Sequence, residues 1–566
     1  MPTGYTQLAV FMRPYRCFAV LVMLCLLAES AVSLAIPWFA GQFLPALVQT
    51  NTAASINLKV HMLMLLGLCV LQALCGWSIF YLSSHIAEHL LVDMRTYLYD
   101  HLQRLPLHFH YQRSRGDLLT LLTQDVEVIS WCLSGSLLGM APLLLTSLGA
   151  IACMLALDLR LGLLSTLTIL SGFGLLKILG RHIRALSTHV TAAQARAAAI
   201  AEDQLRVLPV IKAFTRESSA SKRYREQLGR TMALVERQLL ARSVLGPLMQ
   251  LLTLTGIVLL LWYAGERAMT GTLAPETLIR FLLYGLFLVR PLNALAAAYG
   301  HLQQARGAMA RIIDVLQGTP EPQGHRPHPP GSVVGIIAFH DIHFAYPGRA
   351  PILTHLCLRI DAGEILVLTG PNGAGKSTLA HLLMRFYVPQ AGHICIDGHD
   401  IRTFPLAYLR QQIGFVPQQP FLLHGTIYDN LAYGKPAATQ KELEAAARVA
   451  RAHAFISRLP EGYQTRLGDH GVHLSGGEQQ RLALARALLK DPPILIFDEA
   501  MAMYDPEGEQ ELLLALREVL RRRTVLLITH QPAPLVLADR IVRLAAGHIE
   551  EVLPAQPRQG LTHVRS

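Results

Sequence analysis

The sequence predicts two fold classes in one chain: an α-helical domain that spans a membrane, followed by an α/β domain. Three observations predict it. Long apolar stretches fill roughly the first 300 residues and are absent afterwards. From Val333 onward, short β-rich runs alternate with helical ones, the pattern of an α/β layer structure. A glycine-rich loop, Gly370-Pro371-Asn372-Gly373-Ala374-Gly375-Lys376-Ser377, follows a strand-like run and precedes a helix-like one.

A chain of 566 residues exceeds one ordinary domain. Hydrophobic residues make up 52% and charged residues only 16%, against about 25% charged in a typical soluble protein. Six stretches approach the roughly 20 apolar residues that a helix needs to cross a bilayer: 17–44, 62–82, 133–157, 161–179, 245–264 and 278–299. The second and fourth read as helices that continue beyond the lipid. Spans three and four are joined by little more than Asp158-Leu159-Arg160. Two connections, 85–131 and 180–243, are long, hydrophilic and basic, the first carrying Arg95, Arg104, Arg113 and Arg115. Cationic loops stay on the cytoplasmic side, which places both connections, both termini and the α/β domain there.

The formal charge of +11 is therefore read as orientation in a membrane, not as a nucleic-acid surface. No basic-aromatic motif supports a nucleic-acid partner. Residues 8–15 read as an amphipathic interfacial helix. The first apolar run is too long for a cleavable signal and opens the membrane domain. Proline and glycine crowd the stretch GTPEPQGHRPHPPG, which marks a linker. The domains are then 1–315 (membrane), 316–332 (linker), 333–553 (α/β) and 554–566 (flexible tail). Eight scattered cysteines indicate neither a disulfide framework nor a zinc site. The pairs His108/His110 and His325/His328 lack acidic or cysteine companions and read as interfacial and linker histidines.

The glycine-rich loop fits G-x-x-x-x-G-K-[ST]. Residues Gly370 to Gly375 bring backbone N–H groups against the β- and γ-phosphates of a nucleotide, at the positive end of the following helix. Lys376 adds a point charge, Ser377 offers a hydroxyl to Mg²⁺, and Thr378 continues the phosphate-facing turn. The apolar run Ile494-Leu495-Ile496-Phe497 ends in Asp498-Glu499. A buried strand presents a carboxylate at such an end, so Asp498 is a second Mg²⁺ ligand and Glu499 the group that polarises the attacking water. His530 follows another buried strand, 524–528, and brings an imidazole toward the γ-phosphate. Between these lies Leu474-Ser475-Gly476-Gly477-Glu478, opening a helix.

This set of motifs, in this order behind six spans, resembles the half-size ATP-binding cassette (ABC) exporters over the whole chain. The resemblance implies a type I exporter fold fused to a P-loop ATPase. It implies that Tyr346 stacks on adenine and that Gln418 touches Mg²⁺ and senses the membrane domain. It further implies that Ser475, Gly476 and Gly477 close over the γ-phosphate held by a second subunit, and that His530 is the switch histidine. Gly116-Asp117-Leu118-Leu119 with Asp125, and the stretch Val210 to Glu217, resemble the two cytoplasmic loops that couple ATPase to membrane domain.

Three departures stand out. The family's glutamate before the signature is Asp469 here, the usual Ser-Ala-Leu-Asp is Ala502-Met503-Tyr504-Asp505, and no cysteine-peptidase domain precedes the first span. The expected activity is ATP-driven export or flipping of an amphipathic, lipid-like or drug-like molecule across the cytoplasmic membrane by alternating access, as a homodimer with lipid around it. Export of a peptide, siderophore or thiol conjugate is the alternative, with an importer or ATP-gated regulator behind it. Glu29 and Arg290 fall at similar depth in two nearly uncharged spans and are expected to face the transport cavity, paired or against a charged cargo group.

Overall fold

The computed structural model describes residues 11–48, 52–269, 275–323, 332–468, 471–500, 516–531 and 533–554. They divide into two compact units, one of residues up to 100 and 118–317, the other of residues 101–117 and 318 onward. Of the interfacial helix expected at 8–15, residues 8–10 lie outside the described residues and 12–15 form turns and a bend; Asp469, the segment 502–505, His325 and His328, and most of the tail also lie outside them.

The first unit is helical throughout. Its long helices are α1 (Arg16–Val48) and α2 (Thr52–Arg104), and after the short α3 (Leu107–Gln112), α4 (Arg115–Thr120) and α5 (Val126–Trp131) come α6 (Leu138–Leu157), α7 (Leu159–Arg206), α8 (Leu208–Ala213), α9 (Glu217–Met269) and α10 (Pro275–Leu316). Each of the six predicted spans falls within helix. Among the described residues, Arg16–Gly41, Lys59–Arg104 and Gly116–Leu157 are long and apolar enough to cross a membrane. At 1.5 Å per residue, a 53-residue helix such as α2 or α9 is about 80 Å long, far more than the roughly 30 Å of a bilayer core. The surplus carries the polar half of each helix into water.

Polar contacts fix the irregular points. Asp158 caps α7 by accepting from the backbone N–H groups of Arg160 and Leu161, both at 3.0 Å, and its other oxygen takes Arg267 Nη1 at 2.5 Å. The three-residue turn between spans three and four is thus a helix cap tied to the end of α9. Asp125 is buried and receives Arg311 from α10 through two guanidinium nitrogens, one of them at 2.8 Å. A buried carboxylate needs such a partner, because desolvating it alone is costly. The helices α7 and α9 pack along each other over small residues, Ala193 and Ala197, with Thr231 Oγ1 donating to Ala193 O at 3.4 Å. At the tip of this hairpin, Val210 and Phe214 are 55% and 71% exposed.

The second unit has two large sheets and a small two-stranded one, β7 (Gly425–Thr426) with β8 (Arg466–Leu467). One large sheet is antiparallel, in the order β2 (Leu353–Ile360), β1 (Ile337–Phe344), β4 (Ala391–Ile396), β5 (His399–Asp400). The other has the order β12 (His548–Pro554), β11 (Arg540–Ala545), β3 (Ile365–Thr369), β10 (Thr524–Ile528), β9 (Ile494–Asp498), β6 (Ile413–Val416), parallel except for β12. Strands β3, β9 and β10 read as uninterrupted apolar runs because both faces are covered. Leu366, Leu368, Ile494, Ile496, Leu526 and Ile528 join a core with the antiparallel sheet. Their neighbours Ile365, Val367, Leu495, Phe497, Val525 and Leu527 join a second core with the helices on the other side. The segment 101–117 belongs to this unit, with Glu321 N donating to Arg104 O at 2.8 Å and the His108 ring 6.5 Å from that of Tyr387. His108 therefore sits beside a soluble-domain aromatic. That corrects its reading as an interfacial histidine, while His110 bonds the Leu102 carbonyl at 3.0 Å.

Candidate functional site

The site forms where β3, β9 and β10 end side by side. Asp498 is in register with Ile528, and Ile528 with Leu368, so three strand ends open on one edge. The loop after β3 turns through three glycines in the left-handed region, Gly370, Gly373 and Gly375, at φ +141°, +82° and +102°. Two of them also have no room for a side chain: a Cβ at Gly370 would lie 2.0 Å from Leu544 O, and one at Gly375 would lie 2.6 Å from Leu353 Cδ2. The turn leads into α11 (Lys376–Leu383), whose first N–H groups are turned toward the loop. Lys376 is buried and its Nζ donates to Gly370 O at 2.8 Å and Pro371 O at 3.0 Å, which holds the ammonium across the loop.

Ser377 and Asp498, 121 residues apart, meet: Ser377 Oγ donates to Asp498 Oδ1 at 2.9 Å. Burial pushes the Asp498 carboxyl above its ordinary range, the Ser377 hydroxyl pulls it back, and Glu499 pushes it up again. A buried carboxylate beside a second one, with a serine hydroxyl at hydrogen-bond distance, is a donor set that suits a hard divalent cation. Glu499 lies just past β9 at φ +49°, its N–H fixed to Ile528 O at 2.9 Å. Its carboxylate oxygens face two of the predicted site residues, Gln418 Nε2 at 2.5 Å and His530 Nδ1 at 3.3 Å. Gln418 follows β6, so four consecutive strands of the sheet, β3, β10, β9 and β6, each deliver one part.

Tyr346 comes just after β1. Its hydroxyl lies 3.3 Å from both Thr378 Oγ1 and His381 Nδ1. Its ring meets those of Phe344 and Tyr387 edge-on at 5.0 and 4.9 Å. Burial pushes the Tyr346 phenol up and the His381 imidazole down, so both stay neutral near pH 7. The sequence motifs missed His381 and Tyr387. The signal for His381 was its spacing: Thr378 and His381 are three apart on α11 and share a face.

Ser475 caps a further helix, α12 (Gly476–Leu489), in a reciprocal box with Glu478: Ser475 Oγ accepts from Glu478 N at 3.3 Å, and Glu478 Oε2 accepts from Ser475 N at 2.9 Å. Ser475 and Gly476 are exposed and Gly477 half-buried. Among the described residues, the Ser475 side chain bonds only to Glu478, and none of its bonds goes to the loop 370–377. The start of α12 is thus a helix N-terminus open to an anion, with no phosphate loop of its own chain bonded to it.

A family model described as the ABC transporter transmembrane region matches residues 19–292, and one described as ABC transporter matches residues 353–502. The chain belongs to the ABC transporter family. Membrane and ATPase parts in one chain make it a half-size exporter, an ATP-hydrolysing transporter. It is 31% identical over 550 residues to the ATP-dependent lipid A-core flippase of Syntrophus aciditrophicus, covering 97% of this chain and 91% of that protein. The flippase of the same name from Alkalilimnicola ehrlichii is 33% identical over 570 residues, with 97% and 93% covered. Among solved structures, a bacterial Atm1-family ABC exporter with ATP bound superimposes with a TM-score of 0.83 at 28% identity, covering 95% of each chain.

In the membrane unit, Glu29 is half-buried and lines a cavity of about 300 Å³ with Phe80, Ser83, Ser84, Trp131 and Ser134. The side chain of Arg290 lies outside the described residues.

Proposed function

We propose that this ABC exporter works as a homodimer in the cytoplasmic membrane and spends ATP to export or flip an amphipathic, lipid-like molecule. The observation that carries the dimer is the split of the ATP machinery. Phosphate loop, Asp498, Glu499 and His530 converge on one sheet edge, while the Ser475 helix end bonds to none of them. A helix N-terminus left open in each copy can close over the γ-phosphate held by the other. The exposed apolar tip with Val210 and Phe214 fits the same assembly, since an exposed apolar loop end suits contact with a partner.

In this reading Tyr346 stacks on adenine while Thr378 and His381 hold its hydroxyl. Lys376 and the N–H groups of 370–377 bind the β- and γ-phosphates. Ser377, Asp498 and Gln418 would hold Mg²⁺, which offsets phosphate charge when bound. Glu499 accepts a proton from the attacking water, and His530 steadies that carboxylate and the γ-phosphate. In this reading the segment 101–117, which groups with the ATPase unit, carries closure of the ATPases into the helices continuous with it.

The relatives' names support lipid-like cargo, and the cavity beside Glu29 refines it. Its lining offers one carboxylate and several serine hydroxyls beside Phe80 and Trp131, and among the described lining residues there is no cation. Such a cavity favours a neutral or cationic amphipath over a phosphate-rich headgroup. Translocation of fluorescent lipids and cationic amphipaths in proteoliposomes tests the proposal. ATP-dependent movement of one class, lost in Glu499→Gln, supports it; no ATP-dependent movement of any class refutes it.

A further inference from the structure

The antiparallel sheet of the ATPase unit carries a side-chain cluster that ATP hydrolysis does not use. Strand β1 reads Ile337-Ala338-Phe339-His340-Asp341-Ile342-His343-Phe344, and its pairing to both neighbours is interrupted. Against β2 the register shifts between Phe339 and Ile342; against β4 it shifts between His340 and His343. Asp341 sits at φ +47° within this bulge, and His355 on β2 at φ +49°. A bulge re-aims side chains. Here it sends Asp341 to the same side as His343 and His355.

Three donor atoms converge. His355 Nδ1 lies 2.8 Å from Asp341 Oδ1 and 3.1 Å from His343 Nε2, and His343 Nε2 lies 3.6 Å from Asp341 Oδ1. One proton on His355 Nδ1 serves one of these neighbours well, not both, and a proton on His343 Nε2 would then face another donor. A cation among them satisfies all three through lone pairs. The spacing fits: donors about 2.0–2.1 Å from a tetrahedral Zn²⁺ are about 3.3 Å apart, in the middle of the three observed separations. Access is open, with the side chains of His355 and Asp341 72% and 61% exposed.

We propose that Asp341, His343 and His355 form a binding site for a borderline divalent transition metal, of which Zn²⁺ is the model, completed by water at the open positions. Two imidazoles and a carboxylate select this class over Mg²⁺ or Ca²⁺, which prefer all-oxygen shells. The bound ion pins the β1 bulge to β2 three residues ahead of Tyr346, so the site lies on the strand that delivers the adenine-facing ring. A second group, His340, His393 and Cys395, is less suited. The rings of His340 and His393 stack at 4.7 Å, and burial pushes the Cys395 thiol up, against the thiolate that a metal needs.

The test uses the full-length protein, purified without a histidine tag into nanodiscs and treated with chelator. Zn²⁺ is titrated in competition with a chromophoric chelator, and melting is followed with and without Zn²⁺. The variants are Asp341→Asn and His355→Asn, because asparagine tolerates the left-handed backbone at both places, together with His343→Gln and His393→Gln. The wild type and His393→Gln are expected to take up one Zn²⁺ per chain and to melt higher with it. The three site variants are expected to lose that equivalent and the shift, while melting like the wild type in chelator. Uptake unchanged in the site variants, or lost only in His393→Gln, overturns the assignment.

Discussion

If Glu499 is the base of the proposed mechanism, replacing it by glutamine removes that base and little else. The carboxylate is held between Gln418 Nε2 at 2.5 Å and His530 Nδ1 at 3.3 Å, with its backbone fixed to Ile528 O. The amide has the same shape: its oxygen can still accept from Gln418, and its NH₂ can donate to His530 Nδ1 in the tautomer protonated at Nε2. Geometry therefore survives, and what disappears is the proton acceptor. General-base assistance contributes about 10²–10⁴ in rate, or about 2.7–5.4 kcal/mol of barrier. The expected turnover of Glu499→Gln falls by that factor. In the proposed reading ATP binding rests on the 370–377 loop and Tyr346, which the change does not touch. Removing a carboxylate from beside buried Asp498 also lessens charge repulsion there, so ATP is retained at least as well. Steady-state phosphate release in nanodiscs, alongside labelled ATP retained after rapid filtration, measures both quantities. Turnover within about tenfold of wild type would remove Glu499 from its role. Loss of ATP retention would show instead that the substitution had broken the site.

Two further outcomes follow from the same geometry. Burial holds the Asp498 carboxyl above its unfolded value, so the folded protein binds a proton that the unfolded chain has already released. Stability of the metal-free protein therefore falls as pH rises through that window and stays lower above it; Asp498→Asn is expected to melt higher than wild type near neutral pH, with the two curves converging toward about pH 4, and a lower melting point at neutrality would contradict this. In the membrane unit, Glu29→Gln is expected to abolish stimulation of ATPase activity by cationic amphipaths while leaving basal hydrolysis in place, and full stimulation would take Glu29 out of the cargo cavity.

Much of this fold is legible in the sequence itself. The membrane helices were legible because lipid demands long apolar runs, and the overlong α2 and α7 because their polar continuations lack breakers until Arg104 and Arg206. Strands β3, β9 and β10 were legible because burial on both faces writes a continuous apolar run. Strand ends told where Asp498, Glu499 and His530 emerge, but contacts such as Ser377 with Asp498 came from an order of strands that the motifs only implied. Tyr387 escaped because an aromatic pocket has no spacing rule, and His381 because its helical spacing from Thr378 names a shared face but not the ring that face meets. The histidine cluster escaped for a sharper reason. Its partners sit on two strands, and a one-residue bulge decides which side Asp341 faces. Period-two alternation cannot anticipate that.

The central claim is that each ATP site is built by two copies of this chain. It is tested most directly by mixing Lys376→Ala chains with Ser475→Ala chains in one preparation. Each variant alone spoils both of its sites. In a mixed dimer, one site carries both lesions and the other carries neither. Purified mixed dimers, selected by two different tags, are expected to regain hydrolysis, to roughly half the wild-type rate if the sites act independently. Mixed dimers no more active than either parent would contradict a shared site.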